Sequence, residues 1–351
     1  MEVAIAMSGG VDSSVAAALL VEQGHDVTGV TLRLWGGPSD SGCCAATDVD
    51  DARRVAQQLG IAHHVVNLSE EFMAAVVTPY IEGHAAGKTP NPCIECNRHI
   101  KFSLMMDQCR RLGFDRLATG HHARIVERTV APTRRLARGA DPLKDQSYVL
   151  SMLPASTIAA LELPVGEMTK AQVRDHAVRL GLRTATKPDS QDVCFIPSTS
   201  GRDGFLSTRL ELRSGRVIDQ PTGQALGTVA AIQLVTLGQR RGIGAGPDGT
   251  RRYVVDVDLN TDTVTVAPLD GAMASAIRLD AAMLTTTSDE LPCGPVIVQV
   301  SAHGRPAPGV ISDDRSTVTL DTPARLVAPG QTLAFYDPAD PDVVLGSAVV
   351  A

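Results

Sequence analysis

The sequence predicts an α/β fold: a doubly wound parallel sheet first, then a small β-rich central domain and a C-terminal β-barrel. Three observations carry this. Short apolar runs alternate with helix-length segments over the first 120 residues, the pattern of parallel strands joined by helical crossovers. A glycine-rich turn links the first run to the first helix. From residue 201 onward the helical period gives way to short β runs separated by Gly and Pro.

Residues 3–6 form an apolar run suited to a strand buried on both faces. Residues 11–20 are apolar and Ala-rich, and Gly24 follows as a helix stop. Residues 27–32 read as a second strand, 48–59 as an amphipathic helix closed by Gly60, and 64–68 as a third strand. Residues 70–86 and 98–112 read as helices, with a fourth strand at 116–119. A hairpin is expected over 124–138, and helices over 141–153 and 170–180. Further β runs fall at 215–219, 253–258 and 263–267, then at 296–300, 310–311, 317–320 and 333–335. The last group suggests a closed barrel of about six strands. The expected division is 1–200, 201–272 and 273–351.

At 351 residues the chain exceeds one ordinary core. Hydrophobic residues make up 44% and charged residues 20%, as in globular domains. No apolar stretch approaches the roughly 18 residues of a spanning helix. The start, MEVAIAMSGG, lacks the basic region and cleavage site of a signal peptide. A cytoplasmic protein without a membrane partner is therefore expected. Seven irregularly spaced cysteines argue for reactive or metal-binding thiols rather than a disulfide framework. The net charge of −7 disguises a local reversal, because residues 98–144 carry 11 Lys/Arg against 4 Asp/Glu. That stretch fits a phosphate-contacting surface, although a solvated charged face looks the same.

The sharpest motif is SGGVDSS at residues 8–14, between the first strand and first helix. Glycines let the backbone approach an oxyanion, and unpaired N–H groups of the first helical turn point at it. Ser8, Ser13 and Ser14 add hydroxyls, and Asp12 is a candidate Mg²⁺ ligand. Neither GxxxxGK[ST] nor GxGxxG occurs, so this is neither a Walker loop nor a dinucleotide turn. The competing reading is a Gly-Gly turn whose Ser and Asp cap a helix.

Cys93 and Cys96 read as flanking a proline-rich loop ahead of the helix near Arg98. A thiol there is expected to ionise more readily. Cys194 lies about a hundred residues on, in an Asp-rich stretch. Two such thiols facing one nucleotide would allow sulfur transfer followed by disulfide formation. A half zinc site, a thioredoxin-like pair and inert buried thiols are the alternatives. The inert reading is the one for Cys109 and Cys293. Cys43 and Cys44 receive no chemistry.

SGGVDSS resembles the phosphate loop of the ATP pyrophosphatases. Four more segments narrow the likeness: NPCIECN at 91–97, ATGHHA at 118–123, KDQSY at 144–148 and DSQDVCFI at 189–196. With TLGQRRG at 236–242, in this order, the chain resembles the bacterial tRNA-specific 2-thiouridylase family. The likeness is weakest over the last 80 residues, where the turn at 328–331 matches best.

The resemblance implies ATP and Mg²⁺ as cofactors. ATP would be held by Ala6, Met7, Ser8, Gly9, Gly10, Val11, Asp12 and Ser13, with Leu32 and Gly120. Asn91, Pro92, Cys93, His121, Lys144, Asp145, Gln146 and Gln331 would face tRNA. His121 and His122 could equally be ordinary surface histidines. Cys194 would carry a persulfide received from a sulfur carrier or a cysteine desulfurase, and Cys96 would be the partner thiol. Some relatives have Asp at the position of Cys93, so a Cys there raises two readings. It could be an acid/base group, or with Cys96 and Cys194 a ligand of an iron–sulfur cluster. The implied activity is adenylation of the wobble uridine 2-carbonyl followed by thiolation. A redox-sensing tRNA or nucleotide binder and an amidotransferase-type synthetase are the rivals. The binder has no need of the phosphate loop, and the synthetase would leave the cysteines unexplained.

Overall fold

β1 (Glu2–Ala6) leads into helix α1 (Val11–Glu22), then β2 (Asp26–Arg33), α2 (Ala46–Leu59) and β3 (Ala62–Asn67). The computed structural model describes residues 1–34, 46–128, 134–189, 193–197, 199–287 and 293–351. Cys43 and Cys44 lie outside the described residues, as do Ser190, Gln191 and Asp192. β1 takes the centre of the sheet because Val3, Ala4 and Ile5 present no polar face; all three are buried. It pairs in parallel with β2 and, on its other side, with β4 (Arg116–Ala118). A hairpin of β5 (Ala123–Glu127) and β6 (Arg134–Arg138) follows, and β7 (Leu161–Glu162) then joins β4. The order β3-β2-β1-β4-β7, parallel throughout, is the expected doubly wound sheet.

α1 has no polar stripe because it is covered on both sides. Val15, Ala16 and Ala17 share a core with Val3 and Ile5 of the sheet and with Val173 and Ala177 of the helix Lys170–Arg179. Its alanines cost no side-chain entropy and let that helix lie close.

Two expectations are corrected here. The helix expected from residue 98 starts earlier, with short helical turns at Pro92–Glu95. Asn91 caps it, accepting hydrogen bonds from the N–H groups of Cys93 (3.1 Å) and Ile94 (3.3 Å). Cys93 and Cys96 therefore sit in the opening turns, not in a loop ahead of them. Cys96–Leu104 is wound as a π-helix, a wider turn often retained at functional sites. The helix expected over 141–153 shrinks to Ser147–Leu150. Asp141 and Asp145 instead accept backbone N–H bonds from Leu143 and Ser147, which favours turns over helix.

Beyond residue 201, a four-stranded sheet comprises Gly215–Asp219, Ala225–Val229, Tyr253–Asp258 and Thr263–Ala267. A closed six-stranded barrel follows, from Met273–Thr286 to Val344–Val350. The barrel is fixed to the first part of the chain by a buried polar knot. Tyr148 donates its hydroxyl to the Thr332 carbonyl (2.9 Å), and the Ser147 and Tyr336 hydroxyls meet at 3.0 Å. The Arg138 guanidinium lies 3.7 Å over the Tyr336 ring. Burial pushes the Tyr336 hydroxyl up to about 12, so it stays a neutral donor.

Candidate functional site

The carboxyl ends of β1, β2 and β4 open on one cavity of about 340 Å³. The chain leaves β1 through Ser8, Gly9 and Gly10 and enters α1. Gly9 has φ +70°, and a Cβ there would lie 2.3 Å from the Asp48 carbonyl oxygen. Only glycine turns so sharply against α2. Ser13 accepts the Ser8 N–H at 3.2 Å, closing the loop on itself. Ser13 and Ser14 both give their hydroxyls to the Gly10 carbonyl (3.1 and 2.8 Å), but only Ser13 lines the cavity.

Ala6, Met7, Ser8, Gly10, Val11, Asp12 and Ser13 line the cavity, and so do Leu32 and Gly120. Gly9 shapes the loop from behind. Gly120 matters for close approach: a Cβ would lie 2.5 Å from Ser13 N and 2.7 Å from the Asp12 carbonyl carbon. These are backbone atoms of the phosphate loop and cannot swing aside. Gly120→Ala is expected to cost about 1–3 kcal/mol of stability. It should weaken ATP binding while leaving the barrel's proteolytic resistance unchanged. Calorimetry of unfolding and nucleotide titration check this; an unshifted melting temperature refutes it.

The electrostatics of the cavity centre on Asp12. Lys170 donates to both of its oxygens (2.7 and 2.8 Å), and His122 Nε2 stands 3.1 Å from Oδ1. Burial pushes the Asp12 pKa up, but the bonds to His122 and Lys170 prevail and hold it below the ordinary value. Lys170 also reaches Asp189 at 2.8 Å, and Asp189 in turn receives Lys144 and Arg174 at 2.8 Å each. Burial again opposes ionisation, yet Lys144 and Lys170 draw the Asp189 carboxyl down to about 2. Lys187 gives its three donors to the Gly9 carbonyl (2.9 Å), Asp48 (2.5 Å) and Asp51 (2.8 Å), fastening the loop to α2.

The residues expected to face tRNA divide. His121, Lys144 and Gln146 line the same cavity. His121 is neutral at ordinary pH: burial lowers its pKa well below the usual value, helped by Lys101 and His122. Its Nδ1 lies 2.7 Å from the Thr119 hydroxyl. Gln146 accepts from the His122 N–H and donates its own N–H to the His122 carbonyl, both at 2.8 Å. Asp145 is a correction. It is buried and holds Gly139 N, Ser147 and Arg138, so it supports the surface from beneath. Asn91, Pro92 and Cys93 stand apart from the cavity at the helix start. Gln331 closes the turn that packs on the same place: the Pro329 carbonyl accepts the Thr89 N–H at 2.9 Å.

Cys93 is exposed, Cys96 buried and Cys194 half-buried. Cys96 belongs to an apolar cluster with Leu34, Phe72, Tyr80, Ile100 and Phe195, and Cys194 packs against that cluster. The Phe195 ring is pinned edge-on by Phe72, Tyr80 and Phe205, at 5.2 to 5.7 Å. Leu34 also lines the nucleotide-sized cavity, so the thiol cluster and the cavity share a wall. Cys109 is buried, and burial pushes its thiol up to about 11, as an inert thiol requires. Cys293 is exposed, contrary to the buried reading.

Comparison with known proteins settles the lineage. The family model described as tRNA methyl transferase HUP domain matches residues 1–198. A PRC-barrel domain model matches 203–268, and an aminomethyltransferase β-barrel domain model 286–350. The chain is 45% identical over 368 residues to the tRNA-specific 2-thiouridylase MnmA of Mycolicibacterium gilvum, covering 100% of this chain and 99% of that protein. The MnmA of Frankia casuarinae is 45% identical over 347 residues, 96% of each chain. The chain belongs to the tRNA-specific 2-thiouridylase family. A solved structure of the U34-tRNA thiolase NcsA from Methanococcus maripaludis is 19% identical, with a TM-score of 0.38 over 55% of this chain and 61% of that one. That likeness is too low to argue from.

Within this family frame, sequence reasoning missed Lys170, Lys187 and His122, and assigned no role to Asp189. One signal was available. Lys170 is the first residue of its helix, where the dipole disfavours a cation, so something else must hold it there. Part of the basic stretch is engaged within the fold. Arg134 donates to the Leu161 carbonyl and Glu162, Arg124 to Asp342, Arg128 to Asp340, and Arg138 to Asp145. These arginines bind the hairpin to its neighbours. Arg138→Ala should lower stability by about 1–3 kcal/mol, since it removes the cation from a buried carboxylate that keeps only its bonds to Gly139 and Ser147. It should leave the salt dependence of tRNA binding unchanged. Thermal unfolding together with binding at several salt concentrations tests both halves.

Proposed function

We propose that this chain is an ATP-dependent tRNA-uridine 2-sulfurtransferase that converts the wobble uridine to 2-thiouridine. One observation carries the reading: a phosphate-binding loop and a two-cysteine cluster share a wall, through Leu34. The matching family model is described in terms of methyl transfer. A methyl transferase would need neither the SGGVDSS loop nor paired thiols, whereas thiolation uses both.

A uridine carbonyl oxygen leaves poorly until it is adenylated. The 2-oxygen attacks the α-phosphorus, pyrophosphate departs with the bond pair, and N3 loses its proton. The loop N–H groups and Ser8 and Ser13 would face the phosphates where charge builds. Asp12 would hold Mg²⁺; one carboxylate beside bound phosphates is the usual demand of that ion. The ion would supply further charge neutralisation. His121, neutral, and Lys144 would face the base and its phosphate. Asn91, Pro92, Cys93 and Gln331 would receive the anticodon loop, with the target base splayed from its stack. Sulfur then replaces AMP. The persulfide on Cys194, loaded by a sulfur carrier or cysteine desulfurase, gives its outer sulfur to C2. That sulfur bonds to C2 as AMP leaves; the Cys96 thiolate then attacks Cys194 Sγ, the S–S bond breaks with its electron pair going to the sulfur on C2, and the resulting Cys96–Cys194 disulfide must be reduced by a cellular thiol.

Residues 1–200 would carry this chemistry, with 201–272 and 273–351 shaping the RNA platform. An iron–sulfur cluster on Cys93, Cys96 and Cys194 is the rival reading, and the iron content of protein prepared without oxygen separates the two. No helix among the described residues is long and apolar enough to cross a membrane. The decisive experiment is mass spectrometry of tRNA nucleosides after incubation with ATP, Mg²⁺ and a persulfide donor. 2-Thiouridine that appears only with ATP is expected; its absence under all conditions overturns the reading.

A further inference from the structure

Lys101, Lys144, Lys170 and Lys187 line the cavity, and the partners of the last three differ in kind. Lys187 spends all three donors on the loop carbonyl of Gly9 and on Asp48 and Asp51, so it is committed to architecture. Lys144 stands at the open side, with a side chain 37% exposed, on Asp189. Lys170 lies deep, with a side chain 12% exposed, across both oxygens of Asp12. Its position is enforced. Thr169 and Gln172 form a reciprocal cap at its helix start, and its own N–H is held by Asp141 at 2.9 Å.

The charge count leaves room for an anion. Lys144, Lys170 and Arg174 surround Asp12 and Asp189, three cations on two carboxylates. Asp189 keeps Lys144 and Arg174 if Lys170 turns away. Asp12 is the second residue of α1, so a phosphate seated in the loop comes within reach of an ammonium that already touches that side chain. No Walker lysine exists to neutralise such a phosphate.

We propose that Lys170 is the phosphate-contacting lysine of this chain, exchanging Asp12 for the β- and γ-phosphates of ATP. The proposal rests on the ATP reading of the cavity. In adenylation the uridine oxygen bonds to the α-phosphorus, N3 gives its proton to water, and the α–β bridging P–O bond breaks. Its electron pair leaves on pyrophosphate, and Lys170 faces that growing charge.

The test uses the full chain and calorimetric titration with AMP, ATP and inorganic pyrophosphate, with no metal added. Lys170→Met should bind AMP within about twofold of wild type and bind ATP and pyrophosphate about 10- to 100-fold more weakly, the worth of one charge-assisted hydrogen bond. Lys170→Arg should recover most of the loss. Lys170→Gln, which keeps hydrogen bonds to Asp12 and Asp189, replaces the Met variant if that fails to fold. Equal weakening of AMP and ATP would mean that Lys170 only props the loop, and overturns the proposal. Unchanged ATP binding overturns it as well. A wild-type chain that binds no nucleotide overturns the ATP reading itself, and the proposal with it.

Discussion

An Asp12→Ala chain should lose tRNA-dependent pyrophosphate release by at least about 100-fold, the scale set by removing one charge-stabilising group from a reacting centre. Asp12 is the one carboxylate of the phosphate loop, and it joins three functions at one point. It would hold the magnesium ion. In the ligand-free chain it holds His122 Nε2 at 3.1 Å and Lys170 at 2.7 Å, at the edge of the phosphate loop. The fold should survive, because the Asp12 side chain is partly exposed and Lys170 retains Asp189. A coupled assay of pyrophosphate release, run beside circular dichroism, separates the two effects. Release at the wild-type rate from a folded variant would remove the loop from the chemistry. Acid alone should not mimic the substitution above the ordinary carboxylate range. The bonds from His122 and Lys170 hold the Asp12 pKa below its ordinary value against the pull of burial, so it remains ionised there.

How far the fold could be read depends on where each element's constraint lies. β1, β2 and β4 were legible because strands covered on both faces must be apolar without alternation, and few other structures ask for that. α1 was legible for the same reason. β3, at the exposed sheet edge, was legible from its place between two helix-length segments. β7 was not, since two residues carry no period; it exists because β4 offers an open edge. The start at Asn91 was missed although Asn-Pro is a sound helix opening, because the polar residues after it broke the apolar period. Ser147–Leu150 was overestimated because Asp141 and Asp145 captured backbone N–H groups that a helix would have used.

The site shows the same contrast. SGGVDSS is contiguous, so its backbone geometry is written in one segment. The ion pairs that complete it are not: Asp12 and Lys170 lie 158 positions apart, and Gly9 and Lys187 lie 178 apart. Only the sheet brings them together. The arginines of 124–138 failed as a guide for the opposite reason. Their carboxylate partners, such as Asp340 and Asp342, come from the barrel some two hundred residues later. For Arg124 and Arg128 the positive charge was thus already matched from elsewhere in the chain.

Cys96→Ser and Cys194→Ser should each abolish 2-thiouridine formation while ATP and tRNA binding stay within about twofold of wild type, since neither thiol is asked to hold either ligand. The two should part company in one respect. Incubated with a persulfide donor, the Cys96→Ser chain should gain about 32 Da, one sulfur atom on Cys194. The Cys194→Ser chain should gain none. The structure supports this asymmetry. Cys96 is buried in the wall of aromatic and aliphatic residues, poorly placed to meet a donor protein, whereas Cys194 is half-buried. A donor can reach the second thiol more readily, and the first can act once the sulfur is inside. Phe195, pinned among three rings, holds the neighbouring residue against the cluster that contains Cys96. Releasing that anchor with Phe195→Ala should therefore slow sulfur transfer but not pyrophosphate release. The opposite labelling, with sulfur retained by Cys194→Ser and lost from Cys96→Ser, would reverse the assignment. Stoichiometric iron in anaerobic protein, removed by changing any one of Cys93, Cys96 or Cys194, would replace it with a cluster mechanism.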